Sequence, residues 1–202
     1  MAFNVAEFRA NMIGDGARPN LFSVSLVFPS LVQNSTAAGQ KVTFMAKTAQ
    51  LPGSTVGTVP VYYFGREMKF AGNRTFADWT LQIINDEDFT IRNAMENWMN
   101  SINSHNTNVR NINALRAQNY TVDAEVTQYG KTGDSLKKYK FVGMFPIDLA
   151  PIDLDWGSND TIEEYATTFA YQWWEWNNGR NGATTDVLGS NVPLSPILPA
   201  VG

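Results

Sequence analysis

At 202 residues, with 44% hydrophobic side chains and six Trp, the chain is long enough to bury one core and too apolar to stay disordered. Nineteen carboxylates against fifteen Lys and Arg leave a formal charge of -4, which disfavours a protein whose task is to neutralise phosphates. The absence of cysteine excludes disulfide scaffolds, thiolate nucleophiles and Cys-ligated zinc or iron–sulfur centres.

In chain order, the first ten residues carry Glu7 and Arg9 and no apolar h-region, and no later run approaches ~18 apolar residues, so the reading is a chain made in the cytosol without a membrane anchor. From Phe22, the residues Phe22, Val24, Leu26 and Phe28 alternate with Ser23, Ser25 and Val27, the period of two that turns one face of a strand to a core. Pro29 stops it. After a polar linker over 30–40, Val42, Phe44 and Ala46 alternate with Thr43, Met45 and Lys47, and the two runs are expected to form a hairpin with a long loop. Residues 51–65 mix β-formers with Pro and Gly, which predicts an edge hairpin or a projecting loop.

Trp79, Leu81 and Ile83 against Thr80, Gln82 and Ile84 predict a further strand, ending at Asn85-Asp86-Glu87-Asp88. There the period changes to about 3.6: Ile91, Met95, Trp98 and Ile102, with Ala94 and Met99, trace one stripe of a helix whose start suits those carboxylates. It is the one helix the pattern predicts. Residues 103–119 hold six Asn and read as an irregular loop with a short helical turn over 112–117.

Strands resume at Tyr120, Val122, Ala124 and Val126 against Thr121, Asp123, Glu125 and Thr127, and again at Tyr139, Phe141, Gly143 and Phe145 against Lys138, Lys140, Val142 and Met144. The turn 130–134 joins them as a hairpin. After a break from Pro146 to Pro151, a last long strand puts Glu163, Tyr165, Thr167, Phe169, Tyr171 and Trp173 on one face and Ile162, Ala166, Thr168 and Ala170 on the other. It is apolar on both, so it is expected to be central or covered by another subunit. Residues 1–176 are thus read as one domain and 177–202, without period, as an extended arm.

Chemistry-bearing patterns are weak. His105 has no nucleophile or orienting acid in its surroundings, so it reads as a solvated loop residue. Gly130-Lys131-Thr132 imitates the end of a phosphate loop, but Glu125 stands where the first Gly is required. Asp153, Asp155, Asn159 and Glu164 fall near calcium-loop positions, yet Ser158 replaces the turn Gly. Asp86, Glu87 and Asp88 could be an acid–base pair or helix caps, and capping is favoured. Trp173, Trp174 and Trp176 could stack on sugars, but alternation splits them between two faces. No catalytic residue, metal ligand or cofactor is expected.

Three segments carry a family signature: Ala17-Arg18-Pro19-Asn20-Leu21-Phe22; Phe64-Gly65-Arg66 with Ala71-Gly72-Asn73-Arg74-Thr75-Phe76-Ala77-Asp78-Trp79-Thr80; and Leu154-Asp155-Trp156 with the strand to Trp174. In this order the chain resembles the major tail tube proteins of contractile-tailed bacteriophages, a family related to the type VI secretion tube protein, across most of 16–174. The chain is longer than shorter members in the loops around 30–40 and 103–119 and after Trp176.

The resemblance implies a mainly β fold, a β-barrel or sandwich of antiparallel strands with one flanking helix and long loops. It also implies hexameric rings stacked helically as the hollow inner tube of a contractile tail, with tail sheath, baseplate and tube terminator as partners. The tube would be a structural virion component and a conduit for double-stranded DNA without binding it specifically. Leu51, Val56, Val59, Val61, Tyr63 and Phe64 take the place of the hairpin that contacts the adjacent ring. Phe169, Tyr171, Trp173 and Trp174 are expected at contacts within a ring, where permanent interfaces bury upwards of ~2,000 Å². A wall that lets a polyanion pass should bear carboxylates and hydroxyls, which selects Thr121, Asp123, Glu125 and Thr127. The alternatives are a tube subunit of a phage-derived contractile injection particle and, from other classes, a carbohydrate-binding β-sandwich or a hydrolase using 86–88.

Overall fold

The alternating segments fold as antiparallel strands in the computed structural model, which describes residues 4–177 apart from 13 and 15. The arm expected over 177–202 lies, beyond Asn177, outside the described residues. The strands are β1 (Phe22–Leu26), β2 (Ala46–Ala49), β3 (Ser54–Tyr63), β4 (Arg66–Phe76), β5 (Trp79–Ile84), β6 (Val122–Tyr129), β7 (Ser135–Leu149), β8 (Glu164–Ala170) and β9 (Trp173–Asn177). Among the described residues seven strands form one sheet in the order β1-β6-β7-β8-β5-β2, with β9 also on β7, while β3 and β4 pair only with each other.

Strand β7 joins two layers. It pairs with β9 up to Val142 and with β6 up to Met144, and from Phe145 it pairs with β8. The change of partner falls at Gly143, where φ is +66°. The predicted break at Pro146 is therefore not a break: the strand runs on to Leu149, with Pro146 beside a register shift, where a missing N–H is tolerated. The same bend divides the predicted strand 162–174 in two. At Gln172, whose N–H donates to Val142 O at 3.0 Å, the chain leaves β8 and returns on the other half of β7 as β9.

The core lies between the layers. Val24, Leu26, Ala124, Val126 and Phe141 come from one side, and Trp79, Leu81, Ile83, Tyr165 and Phe169 from the other. The rings of Trp79 and Phe141 meet at 4.8 Å. Each of these buried side chains larger than Ala contributes about 1.5–3 kcal/mol. Strand β8 is consequently covered on one face only, since Ala166, Thr168 and Ala170 on the other remain partly open.

Helices complete the core. As the 3.6 period predicts, α3 (Thr90–Ile102) buries Ile91, Ala94, Met95 and Trp98. It is not alone: α1 (Val5–Asn11), α2 (Ser35–Met45) and the short α4 (Ala117–Tyr120) are also present. The expected strand through Val42 and Phe44 is overturned by α2, and with it the hairpin, because β1 pairs with β6 and β2 with β5. Ala38 and Val42, four residues apart, are the buried pair of this helix, and Phe44 points outward. Gly39 permits the close approach to β1, since a Cβ there would sit 2.9 Å from Leu26 O.

Asp86 and Asp88 precede α3 rather than beginning it, and both meet Lys41 of α2, at 2.6 and 2.5 Å. Asp88 Oδ1 also accepts from Thr90 N–H. Lys41, followed by the Thr90 amide, lowers the Asp88 carboxyl from its ordinary 3.8 to about 2, and Lys41 likewise lowers Asp86. A lowered folded pKa gives stability that is present above the unfolded pKa and lost as pH falls through the folded one. Lys41→Met is therefore expected to flatten the decline in thermal midpoint between pH 3.8 and about 2 that the parent chain shows. An unchanged acid limb would contradict the assignment.

Candidate functional site

Two surfaces stand out for what the fold leaves uncovered. The first is the β3–β4 ribbon, which projects free of the main sheet. All ten residues of β3 are exposed, and ten extended residues reach about 30 Å. Beyond a register shift between Val56 and Thr58, the cross-strand pairs Val59–Phe70, Val61–Met68 and Tyr63–Arg66 share one face. Thr58–Ala71, Pro60–Lys69 and Tyr62–Glu67 share the other. One face is thus apolar from Val59 and Phe70 to Tyr63, with Arg66 as its one charged residue at the tip, in an element that would be marginal alone. At the tip Phe64 and Gly65 both take positive φ, 46° and 78°, as a two-residue hairpin turn requires, and the Phe64 ring is 93% exposed.

The root is held firmly. Trp79 Nε1 donates to Gln50 O at 2.7 Å and Trp174 Nε1 to Gly53 O at 3.1 Å, while Phe76 meets the rings of Tyr171 and Trp174. The ribbon is an apolar arm on a rigid base. Val56 in its lower part and Leu51 just before β3 are exposed as well.

The second surface is the outward face of β1, β6, β7 and β9. Register puts Ser25, Glu125, Lys140 and Glu175 in one row and Ser23, Thr127, Lys138 and Asn177 in the next. Diagonal ion pairs bind the rows: Glu125–Lys138 at 2.8 Å and Asp123–Lys140 at 2.9 Å. The hydrogen bond to Asp123, then its charge, raises the Lys140 pKa. Asp123 also accepts from Gly143 N–H at 3.2 Å.

Of the residues selected from the sequence, Asp123 and Glu125 are on this face. Thr127 is on it but nearly covered, and Thr121 lies before β6, its hydroxyl bonded to Ala117 O. Ser23, Ser25, Lys138, Lys140 and Glu175 complete the face. Ser23, Ser25, Lys138 and Lys140 were visible as alternating residues and Glu175 was not, and only the pairing register brings the five together.

Among the described residues β1 pairs only with β6 and β9 only with β7, so this four-stranded face ends in two edges that have no further strand partner. At the β9 edge Trp173 is half exposed and Trp174 turns inward against Tyr139. Tyr171 packs on Phe141, and Phe169 is fully buried against Trp79 and Trp98. Phe169 therefore has no surface to offer a neighbour.

The other patterns dissolve into local structure. Trp173, Trp174 and Trp176 form no common platform, since Trp176 faces Lys137 and Trp174 faces the core. Lys41 and backbone amides hold the Asp86 and Asp88 carboxylates. Asp155 accepts from Gly157 N–H in a tight turn, and among the described residues no three His, Asp or Glu are placed to hold a metal. No described helix is long and apolar enough to cross a membrane.

Comparison with known proteins finds relatives over most of the chain. A family model described as phage tail tube protein matches residues 17–177. The tail tube protein gp19 of Enterobacteria phage T4 is 34% identical over 168 residues, covering 83% of this chain and 96% of that one. The tail tube protein of Serratia phage KSP90 is 26% identical over 169 residues, covering 83% and 93%. Among solved structures, a chain of the PVC extracellular contractile injection system, in its sheath–tube complex in the extended state, shares the fold with TM-score 0.57 at 16% identity, over 88% of this chain and 99% of that one.

Proposed function

The chain belongs to the phage tail tube protein family, a structural and non-enzymatic component of the virion tail, and from that premise we propose how its copies close into the tube. The observation that carries the reading is the pair of free edges on one polar sheet face. Strands β1, β6, β7 and β9 alternate in direction, so β9 and β1 run opposite ways. A neighbour generated by rotation about an axis along the strands presents its β1 antiparallel to β9, and backbone N–H and C=O groups of the two edges pair. Such a heterologous contact closes into a ring, and six copies are the number the family implies. Trp173 and Trp174 then lie at the seam.

Closure places the Glu125–Lys140 face inward. Three carboxylates, Asp123, Glu125 and Glu175, stand against two ammonium groups, Lys138 and Lys140, and both lysines are already engaged. The lumen is close to neutral and slightly acidic. Double-stranded DNA passes it without finding free cations to release its counterions. Rings stack through the projecting apolar ribbon, with Leu51, Val56, Val59, Val61, Tyr63 and Phe64 at the contact. A contractile sheath surrounds the tube, and a baseplate and terminator close its ends.

The lumen assignment is tested by Asp123→Lys together with Glu125→Lys. The change frees Lys138 and Lys140 and turns the face strongly basic. Virions carrying it are expected to assemble tails of normal length and to eject DNA more slowly, by an amount that shrinks as salt is raised. Normal ejection from intact tails would place this face elsewhere.

A further inference from the structure

Resting on that stacking reading, a second exposed surface supplies what the ribbon lacks, a receptor. The segment between β7 and β8 leaves Leu154, Trp156 and Ile162 uncovered, Trp156 completely so at 102%. They rim a cleft of about 450 Å³ that reaches from Pro151 to Glu164. That volume is in the range that encloses several rings' worth of ligand. Uncovered apolar groups around a cleft call for an occupant.

Position and charge identify it. The ribbon leaves the fold where β5 begins, at Trp79, and Trp79 faces Phe169 at the end of β8. The cleft segment enters β8 at Glu164, which faces Ile84 at the other end of β5. The two surfaces therefore lie at opposite ends of one ladder, about 20 Å apart. Stacked rings bring one end of a subunit against the other end of a different one.

Residues 150–164 hold Asp153, Asp155, Asp160, Glu163 and Glu164 and no Lys or Arg. Among the described residues only Glu164 is paired with a cation, Lys47 at 2.5 Å. The ribbon, in contrast, carries Arg66, Lys69 and Arg74 against Glu67 alone.

We infer that the Leu154–Trp156–Ile162 cleft receives the aromatic tip of the β3–β4 ribbon from a second copy of this chain in the adjoining ring. Tyr63 and Phe64 enter among the apolar side chains, and Arg66 and Lys69 meet the acidic rim. Desolvated aromatic anchors within a charged rim are the usual anatomy of a tight contact.

The test uses the purified full chain, viewed by negative-stain microscopy for rings and for tubes. Leu154→Ala with Trp156→Ala is expected to keep rings and to raise the protein concentration needed for tubes at least ~30-fold, the effect of losing one anchor. Asp153→Lys with Asp160→Lys, and separately Arg66→Glu with Lys69→Glu, should each give rings that do not stack. All four charge changes in one chain should restore tubes. Alanine-variant rings that stack like the parent, or a four-fold variant no better than either pair, would overturn the inference. Absence of rings from the parent chain would instead overturn the ring reading on which it rests.

Discussion

Val59→Asp combined with Val61→Asp is expected to yield rings and no tubes. Both side chains are about half exposed on the apolar ribbon face, so the subunit's own core does not depend on them. Their removal forfeits about 2–3 kcal/mol of interfacial burial per ribbon, and every ribbon of a ring makes the same contact. Two carboxylates would also be driven into a dry interface without partners, which costs several kcal/mol more. The thermal midpoint of the subunit should change by no more than ~2 °C, since exposed substitutions stay within about 0.5 kcal/mol. Tubes at the parent's concentration threshold would show that stacking does not use this face.

Trp79→Ala is the second large effect, and it acts on the fold itself. The ring lies at the meeting point of both layers, 4.8 Å from Phe141 and 5.8 Å from Phe169, and its indole N–H holds Gln50 O at the ribbon root. Truncating such a residue costs about 3–5 kcal/mol, or roughly 10 °C of midpoint for a chain of this size. Trp79→Phe retains most of the packing but leaves the Gln50 carbonyl unpaired, for about 1–3 kcal/mol. Thermal denaturation ranks the two, and protease cleavage within 50–56 reports the loosened root. A midpoint within ~2 °C of the parent for Trp79→Ala would contradict the packing described.

How much of this could be read from the residues follows from the range of the forces involved. Long, regular patterns were legible: the alternation through Trp79–Ile84 and the stripe Ile91–Met95–Trp98 each reflect one surface meeting one core. The α2 segment misled because only Ala38 and Val42 are buried, too narrow a stripe to outweigh a chance alternation at Val42 and Phe44. The strand through Pro146 and the division at Gln172 share another cause, the bend of β7. It makes one strand serve two partner sets, which no local pattern encodes.

The polar face was half legible for the same reason. Asp123 and Glu125 follow from alternation, whereas their lysine partners depend on a pairing register across a hairpin with two irregularities. Phe169 belonged to the expected contact set because strand periodicity identifies a face and not what covers it. The ribbon was visible from its Pro and Gly content, but its freedom from the main sheet was not.

The account stands on the closure of β9 against the β1 of a neighbouring copy. A cryo-microscopy reconstruction of assemblies formed by the purified chain tests it directly. It should show a continuous antiparallel wall in which Trp173–Asn177 of one subunit lies beside Phe22–Leu26 of the next, with Glu125 and Lys140 facing the hole. A wall closed through other strands, or one that turns these two side chains to the outside, would contradict it.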